Sequence, residues 1–294
     1  MIRLRKAHLS VLFCLLCGTT FASAQVKFTA IDVPGAAATV AYSINTAGDV
    51  VGAYQAPSSS AWHAFKLSAG KFTSFDYPGA TNTLATGIND NDLIVGHYDF
   101  GQVNTAYGFQ YDGSAFTSFQ YQSRAITETR GVNNAGQLVG ESGNSQKQVG
   151  FKLIEGTFAP IRPPGENTYY YVIVNGINDV GQIAGFVVHN TGTNEGFVYK
   201  KGLYAFLDYP GAQSTAVYGV NDRGVMVGNY LAGADLYGFA TKNGKFVSLI
   251  YPGAVYTFCY AINSEGMIVG SAVVGSVTHG FVTSSIGAEQ FSDK

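Results

Sequence analysis

"FTSFDYPGATNTLATGINDNDLIVGHY", residues 72–98, is a phrase that the chain repeats with variation from end to end. It joins a short aromatic run, a Pro-Gly turn, a β-branched run, an Asn-containing turn and a second apolar run. Three landmarks keep step through the sequence. An aromatic opens a short strand signal at Phe28, Phe72, Phe116, Phe158, Tyr204 and Phe246; an Asn sits in a turn at Asn45, Asn89, Asn133, Asn178, Asn221 and Asn263; and a Phe follows a small residue at Phe65, Phe109, Phe151, Phe197, Phe239 and Phe281. All three recur every 42 to 46 residues, so six copies occupy the chain after its first two dozen residues and leave no linker or second domain.

Each copy carries four strand signals and no helical period. In the second copy they fall at 83–88, 93–98, 107–111 and 116–121. Four short strands per roughly 44 residues predict a six-bladed β-propeller. The ends of the repeat predict how the ring closes. The chain enters on a fourth-strand phrase, "KFTAIDVPG", and leaves after a third-strand phrase, "HGFVTSSIG", so 27–33 is expected to pair beside 280–285. An open β-solenoid is the alternative.

The turns "GINDNDLIVG", "GVNNAGQLVG", "GINDVGQIAG" and "GVNDRGVMVG" place Asn before the bend, where its side chain can bond the backbone ahead. Gly follows three residues on, where positive φ is cheap, with Asp92 in its place in the second copy. "NDND" at Asn89 to Asp92 alternates oxygen donors as a calcium loop does, but no Glu follows at loop spacing, so a hairpin turn is the reading.

Composition narrows the function classes. The chain is 46% hydrophobic and 14% aromatic, enough for a large core, yet only 12% charged. Its formal charge is -2; the first 24 residues carry Arg3, Arg5 and Lys6 and no acid, so the remainder stands at -5. No basic stripe is left to follow a nucleic acid. The start reads as an export signal: "MIRLRK", an apolar run, then Ala22, Ser23 and Ala24 before a cleavage site. A lipoprotein acylated at Cys17 is the rival. A secreted or periplasmic monomer of one domain, 25–294, is the expectation, and no later segment has the length of a membrane span. Cys259 aligns with Ala41, Ala85, Thr129, Val174 and Val217, which makes it a core thiol rather than a nucleophile.

The repeat resembles the extracellular HAF-repeat proteins of bacteria. His63, Ala64 and Phe65 give the tripeptide, and "SINTAGDVVG" at 43–52 gives the turn that precedes it. The resemblance spans all six copies, although the others read Tyr-Gly-Phe, Val-Gly-Phe, Glu-Gly-Phe or His-Gly-Phe. It implies an exported repeat-built β protein and brings no catalytic residue.

A specific site should break the repeat. Asp32, Asp76 and Asp208 share one repeat position and Asp90, Asp179 and Asp222 another, which marks them as turn chemistry. His63 and His279 share a position with Glu195, too spread around a ring to hold a metal. Tyr54, Tyr98 and Tyr230 are expected to pack between copies. The strongest departures are "QYQSRAITETRG" (120–131) and "RPPGENTYYYVIVNG" (162–176), where other copies read "DYPGA". Arg124, Glu128, Arg130, Arg162, Glu166, Tyr169, Tyr170 and Tyr171 are therefore expected to share one patch on the loop face of neighbouring copies. Rings stacking on sugar faces and charged groups bonding hydroxyls suit a glycan or cell-envelope polymer. A polysaccharide-active enzyme using Glu128 and Glu166, or a surface protein with a protein partner, are the alternatives. No cofactor fingerprint and no nucleophile elbow is present in the sequence.

Overall fold

The computed structural model describes residues 26–122, 124–165 and 167–291. The expected export signal and Glu166 lie outside the described residues. Among those described, the chain is all β apart from one 3-10 turn, Ala288–Phe291, with 24 strands. The second copy illustrates the unit: its strands run Asn82–Ile88, Ile94–Asp99, Tyr107–Tyr111 and Phe116–Phe119. Every boundary falls within two residues of its sequence expectation. Antiparallel pairing makes four-strand groups at 38–75, 82–119, 126–161, 169–207 and 214–249. The last run, 256–283, supplies three strands, and Phe28–Ile31 pairs beside Val277–Thr283 as their fourth, with Phe28 opposite Thr283 and Ile31 opposite Gly280. Single parallel bridges, such as Gln148 to Tyr171 and Ala38 to Thr278, link some groups into three sheets of twelve, eight and four strands, none closed on itself.

The repeated Asn earns its place twice. Asn89 Oδ1 accepts from the backbone N–H groups of Asn91 and Leu93 at 3.0 and 2.9 Å, which shapes its own turn. Its Nδ2 then donates to the carbonyl of Asn133, one copy on, at 2.9 Å. The same donation links Asn45 to Asn89, Asn133 to Asn178, Asn178 to Asn221 and Asn221 to Asn263 at 3.0 to 3.5 Å. Asp92 takes the positive φ, 62°, that Gly48 adopts at 89° in the first copy.

The first strand of each group carries a register shift that leaves one residue over: Tyr42, Thr86, Arg130, Asn175, Tyr218 or Tyr260. Such a bulge turns a side chain away from the ladder's own alternation. A small residue follows because the next group lies against it. A Cβ on Gly131 would meet the carbonyl oxygen of Asn175 at 2.8 Å, and one on Gly176 that of Tyr218 at 2.8 Å. The repeated Phe65, Phe109, Phe151, Phe197, Phe239 and Phe281 are fully buried. Tyr98 and Tyr230 stack on Tyr77 and Tyr209 of the preceding Pro-Gly connections, each with ring centroids 3.6 Å apart. Cys259 is buried, and its burial pushes the thiol well above its usual range.

Candidate functional site

Connections that lead into a first strand are pinned to one face by a threonine. The hydroxyls of Thr39, Thr83, Thr127, Thr215 and Thr257 each accept from a backbone N–H six residues earlier, at 2.9 to 3.1 Å. Val172 stands at this place in the fourth group, and the connection there is held differently. Thr168 donates its N–H and its hydroxyl to Gly165 O at 2.8 Å, and Tyr169 Oη donates to Pro163 O at 2.6 Å.

This face carries a cleft of about 560 Å³ at the third group, lined by Arg124, Ala125, Gly143, Asn144, Lys147, Val149 and Arg162. Arg124 enters on the tight turn closed by its own N–H to Tyr121 O, 3.1 Å, and its guanidinium lies 5.6 Å from the Tyr121 ring centre. Arg162 N–H donates to Tyr204 Oη at 3.1 Å. Lys147 N–H donates to Asn144 Oδ1 at 2.9 Å in the hairpin between the second and third strands. From the fourth group, Tyr171 reaches over that hairpin and donates its hydroxyl to Ser145 O at 2.5 Å. Tyr170 beside it is 48% exposed, with its ring centre 6.3 Å from that of Tyr171.

The eight residues singled out in the sequence therefore separate. Arg124 and Arg162 line the cleft, Tyr171 is bonded to the hairpin that supplies Asn144 and Lys147 to it, and Tyr170 is exposed next to Tyr171. Tyr169 is core, buried with its hydroxyl satisfied. Glu166 lies outside the described residues. Glu128 and Arg130 do not join the loops, because the strand Ile126–Val132 already begins before them and carries them down into the interior. Lys147 was not legible as a site residue: attention to the connections into first strands passes over the hairpins that end on the same face.

Glu128 and Arg130 belong to a second polar centre, the lumen where the first strands meet. Tyr42, Thr86, Arg130, Asn175, Tyr218 and Tyr260, the bulge residues of the successive groups, line a cavity of about 110 Å³. Arg130 bridges two carboxylates. Its Nε donates to Glu141 Oε1 at 2.9 Å, and its Nη2 contacts Glu141 at 2.7 Å and Glu128. Burial pushes the Glu128 carboxyl up, but Arg130 and then His97 outweigh it and hold the group down at about 2. At Glu141 burial prevails over Arg130, and with Glu128 adding to it the carboxyl rises to about 8. Two buried carboxylates on one guanidinium thus retain a proton at neutral pH. Glu141 Oε2 and His97 Nδ1 are buried with no hydrogen-bond partner. In the repeat, His97 and Glu141 stand where other groups have Ala53, Phe186, Asn229 and Ser271, and that departure is the sequence signal for them.

Each of three histidine–carboxylate pairs lies within one group. His63 and His279 face Asp76 and Asp32 at 2.8 and 2.9 Å, and His189 faces Glu195 at 3.0 Å. Among the described residues no three His, Cys, Asp or Glu side chains are grouped to hold a metal ion, and no helix is long and apolar enough to cross a membrane.

No family model matches the sequence, and no curated protein matches it either. Solved structures do match in shape. The fucose-specific lectin from Aleuria aurantia aligns at TM-score 0.51 and 10% identity, over 85% of this chain and 95% of its own. A mutant of AofleA from Arthrobotrys oligospora aligns at 0.53 and 12%, over 90% of each chain. The sialidase of Trypanosoma rangeli aligns at 0.50 and 8%, over 87% of this chain and 55% of its own. At these identities the likeness shows the fold alone, an all-β propeller arrangement.

Proposed function

We propose that the chain is an exported six-bladed β-propeller of the HAF-repeat kind that binds a glycan or cell-envelope polymer on one face. The six-bladed, closed reading is supported by the pairing of Phe28–Ile31 with Val277–Thr283 and by the donation of Asn263 Nδ2 back to Asn45 O at 2.9 Å. The observation that carries the binding reading is the cleft: about 560 Å³, within the ~300–1,000 Å³ of small-ligand sites, with Tyr171 bonded to the hairpin that supplies Asn144 and Lys147 to its lining. A sugar presents C–H faces to such rings and hydroxyls to charged donors. Neighbours in shape that bind fucose, and one that is a sialidase, are compatible with a glycan ligand.

The test is a thermal-shift panel of oligosaccharides against the protein and a Tyr170→Ala/Tyr171→Ala variant. Ligand at about 100 times its dissociation constant adds roughly 2.7 kcal/mol of stability. A shift absent from the variant supports the reading, and no shift with any glycan sinks it. A protein partner is the second reading, favoured by Phe100 and Val103, exposed in one loop between a second and a third strand. An enzyme with Glu128 as proton donor is disfavoured, because Arg130 holds that carboxyl ionised.

A further inference from the structure

The outer strand of the fourth group, Leu203–Leu207, breaks the repeat away from the cleft. It pairs with Asn194–Lys200 on one side and, among the described residues, with no strand on the other. Every group ends on such an edge, and a bare edge invites another chain unless charge, proline or polar residues blunt it. The other groups are blunted. Lys27, Lys71 and Lys245 stand at the place of Leu203, one residue before the repeated aromatic, and Ser74, Ser118, Ser248 and Pro160 stand at the place of Phe206, two residues after it. Ser118 and Ser248 bond the hydroxyls of Tyr98 and Tyr230 at 2.8 Å, whereas the fourth group has Val187 at the tyrosine's place, so a hydroxyl at 206 would have no such partner. Leu203 is 78% exposed and Phe206 40%, and among the described residues no large apolar side chain is exposed on the other five outer strands.

Charge points to what covers this edge. Lys200 and Lys201 precede the strand and Asp208 follows it. Among the described residues none of these three side chains makes an ion pair or a hydrogen bond. Asp32 and Asp76, at the place of Asp208, face His279 and His63. Glu195 holds the histidine's place in the fourth group, and burial together with that carboxylate pushes the Asp208 carboxyl up. Cations at the start of a strand and an acid at its end complement a second copy laid antiparallel and repel one laid parallel.

We propose that Leu203–Leu207 pairs antiparallel with the same strand of a second copy, giving a two-fold dimer in which the Lys200–Lys201 turn of each copy lies beside Asp208 of the other. Centred on Ala205, the pairing sets Leu203 against Leu207 and Tyr204 against Phe206. It replaces the monomer expected from the sequence, and it stands whether or not the cleft binds a glycan.

One strand pair is a small interface and associates weakly, so sedimentation velocity of the full chain is run from about 1 to about 200 µM. The expected result is a concentration-dependent shift from monomer to dimer. Phe206→Ser, which installs the residue that three other groups carry there, should stay monomeric throughout while keeping the native circular dichroism and melting temperature. Lys200→Glu/Lys201→Glu and Asp208→Lys should each stay monomeric as well, because each sets like charges together at both ends of the pairing. Mixing these two charge variants should restore a dimer with one copy of each, since opposite charges then meet at both ends. A parent chain that is monomeric at about 200 µM overturns the proposal, as that concentration is ample for a weak specific interface. A dimer that survives Phe206→Ser uses another surface and overturns it too. A parent that dimerises while the mixed variants do not overturns the antiparallel arrangement.

Discussion

The side-chain amide of Asn263 donates to the backbone carbonyl of Asn45, 218 residues earlier in the chain, at 2.9 Å. The same Asn263 shapes its own turn, its Oδ1 accepting from Met267 N–H at 2.9 Å and Glu265 N–H at 3.1 Å. One residue therefore serves a local turn and a contact between the two ends of the repeat array. Replacing it with Asp keeps the acceptor and removes the donor, leaving the buried Asn45 carbonyl without that bond. Asn263→Asp should cost about 1–3 kcal/mol, and Asn263→Ala more, because the turn goes as well. Urea unfolding of both variants measures the order; equal costs would mean that the turn acceptor adds nothing, and an Asn263→Asp variant as stable as the parent that the long-range bond contributes nothing.

Stability should also depend on pH through the lumen. Glu141 has its carboxyl raised to about 8 in the folded protein by burial. A raised folded value means that the native state binds the proton more tightly than the unfolded chain. The stability this contributes is fully present below the ordinary carboxylate range and is lost as pH rises toward 8. Glu128 acts in the opposite sense: its depressed value, about 2, contributes stability above the ordinary range that is lost as pH falls toward 2. Unfolding curves at pH 6 and pH 9 should thus show a less stable protein at the higher pH. Glu141→Gln, which mimics the protonated acid, should flatten that difference, and an unchanged slope in the variant would sink the assignment.

Breaking the same cluster from its other side should be costly. Arg130→Met leaves Glu128 and Glu141 facing each other around the lumen without their cation, and an uncompensated buried charge costs about 3–5 kcal/mol. Glycan binding at the cleft should survive wherever the variant still folds, because Arg130 lies in the lumen and is absent from the cleft's lining. Loss of binding in a variant with native circular dichroism would join the two centres into one site.

How much of this was legible in the sequence depended on whether a feature repeats. The Asn turns and buried Phe residues recur in step, and the strands of the second copy were placeable to within two residues. The N-terminal fourth strand was readable for the same reason, since 27–33 matches other fourth-strand phrases. Glu128 and Arg130 were misplaced with the loops because "QYQSRAITETRG" looks irregular as a string, although its strand begins at Ile126 and only the side chains depart from pattern. The bulge was hidden too: alternation with period two cannot show that Arg130 is the residue left over. Lys147 carries no signal beyond being a cation in a hairpin, and only the folded chain brings it beside Arg124 and Arg162.

The small residue after each bulge governs how closely neighbouring first strands approach. Gly131 and Gly176 sit where the first strand of one group meets that of the next, and a Cβ there would come to 2.8 Å from a backbone oxygen. A backbone atom cannot swing aside as a side chain can, so the strands themselves would have to part. Ser43 and Ala261 occupy the same repeat position in the first and last groups, where a Cβ is accommodated. Gly131→Ala should therefore destabilise by about 1–3 kcal/mol, the usual cost of overpacking, whereas Ala261→Gly should cost only about 0.5–1 kcal/mol, the backbone entropy that glycine adds to the unfolded chain. Chemical denaturation of the pair decides it: equal destabilisation would mean that local propensity governs this position, and a large excess for Gly131→Ala would mean that the close approach of neighbouring first strands does.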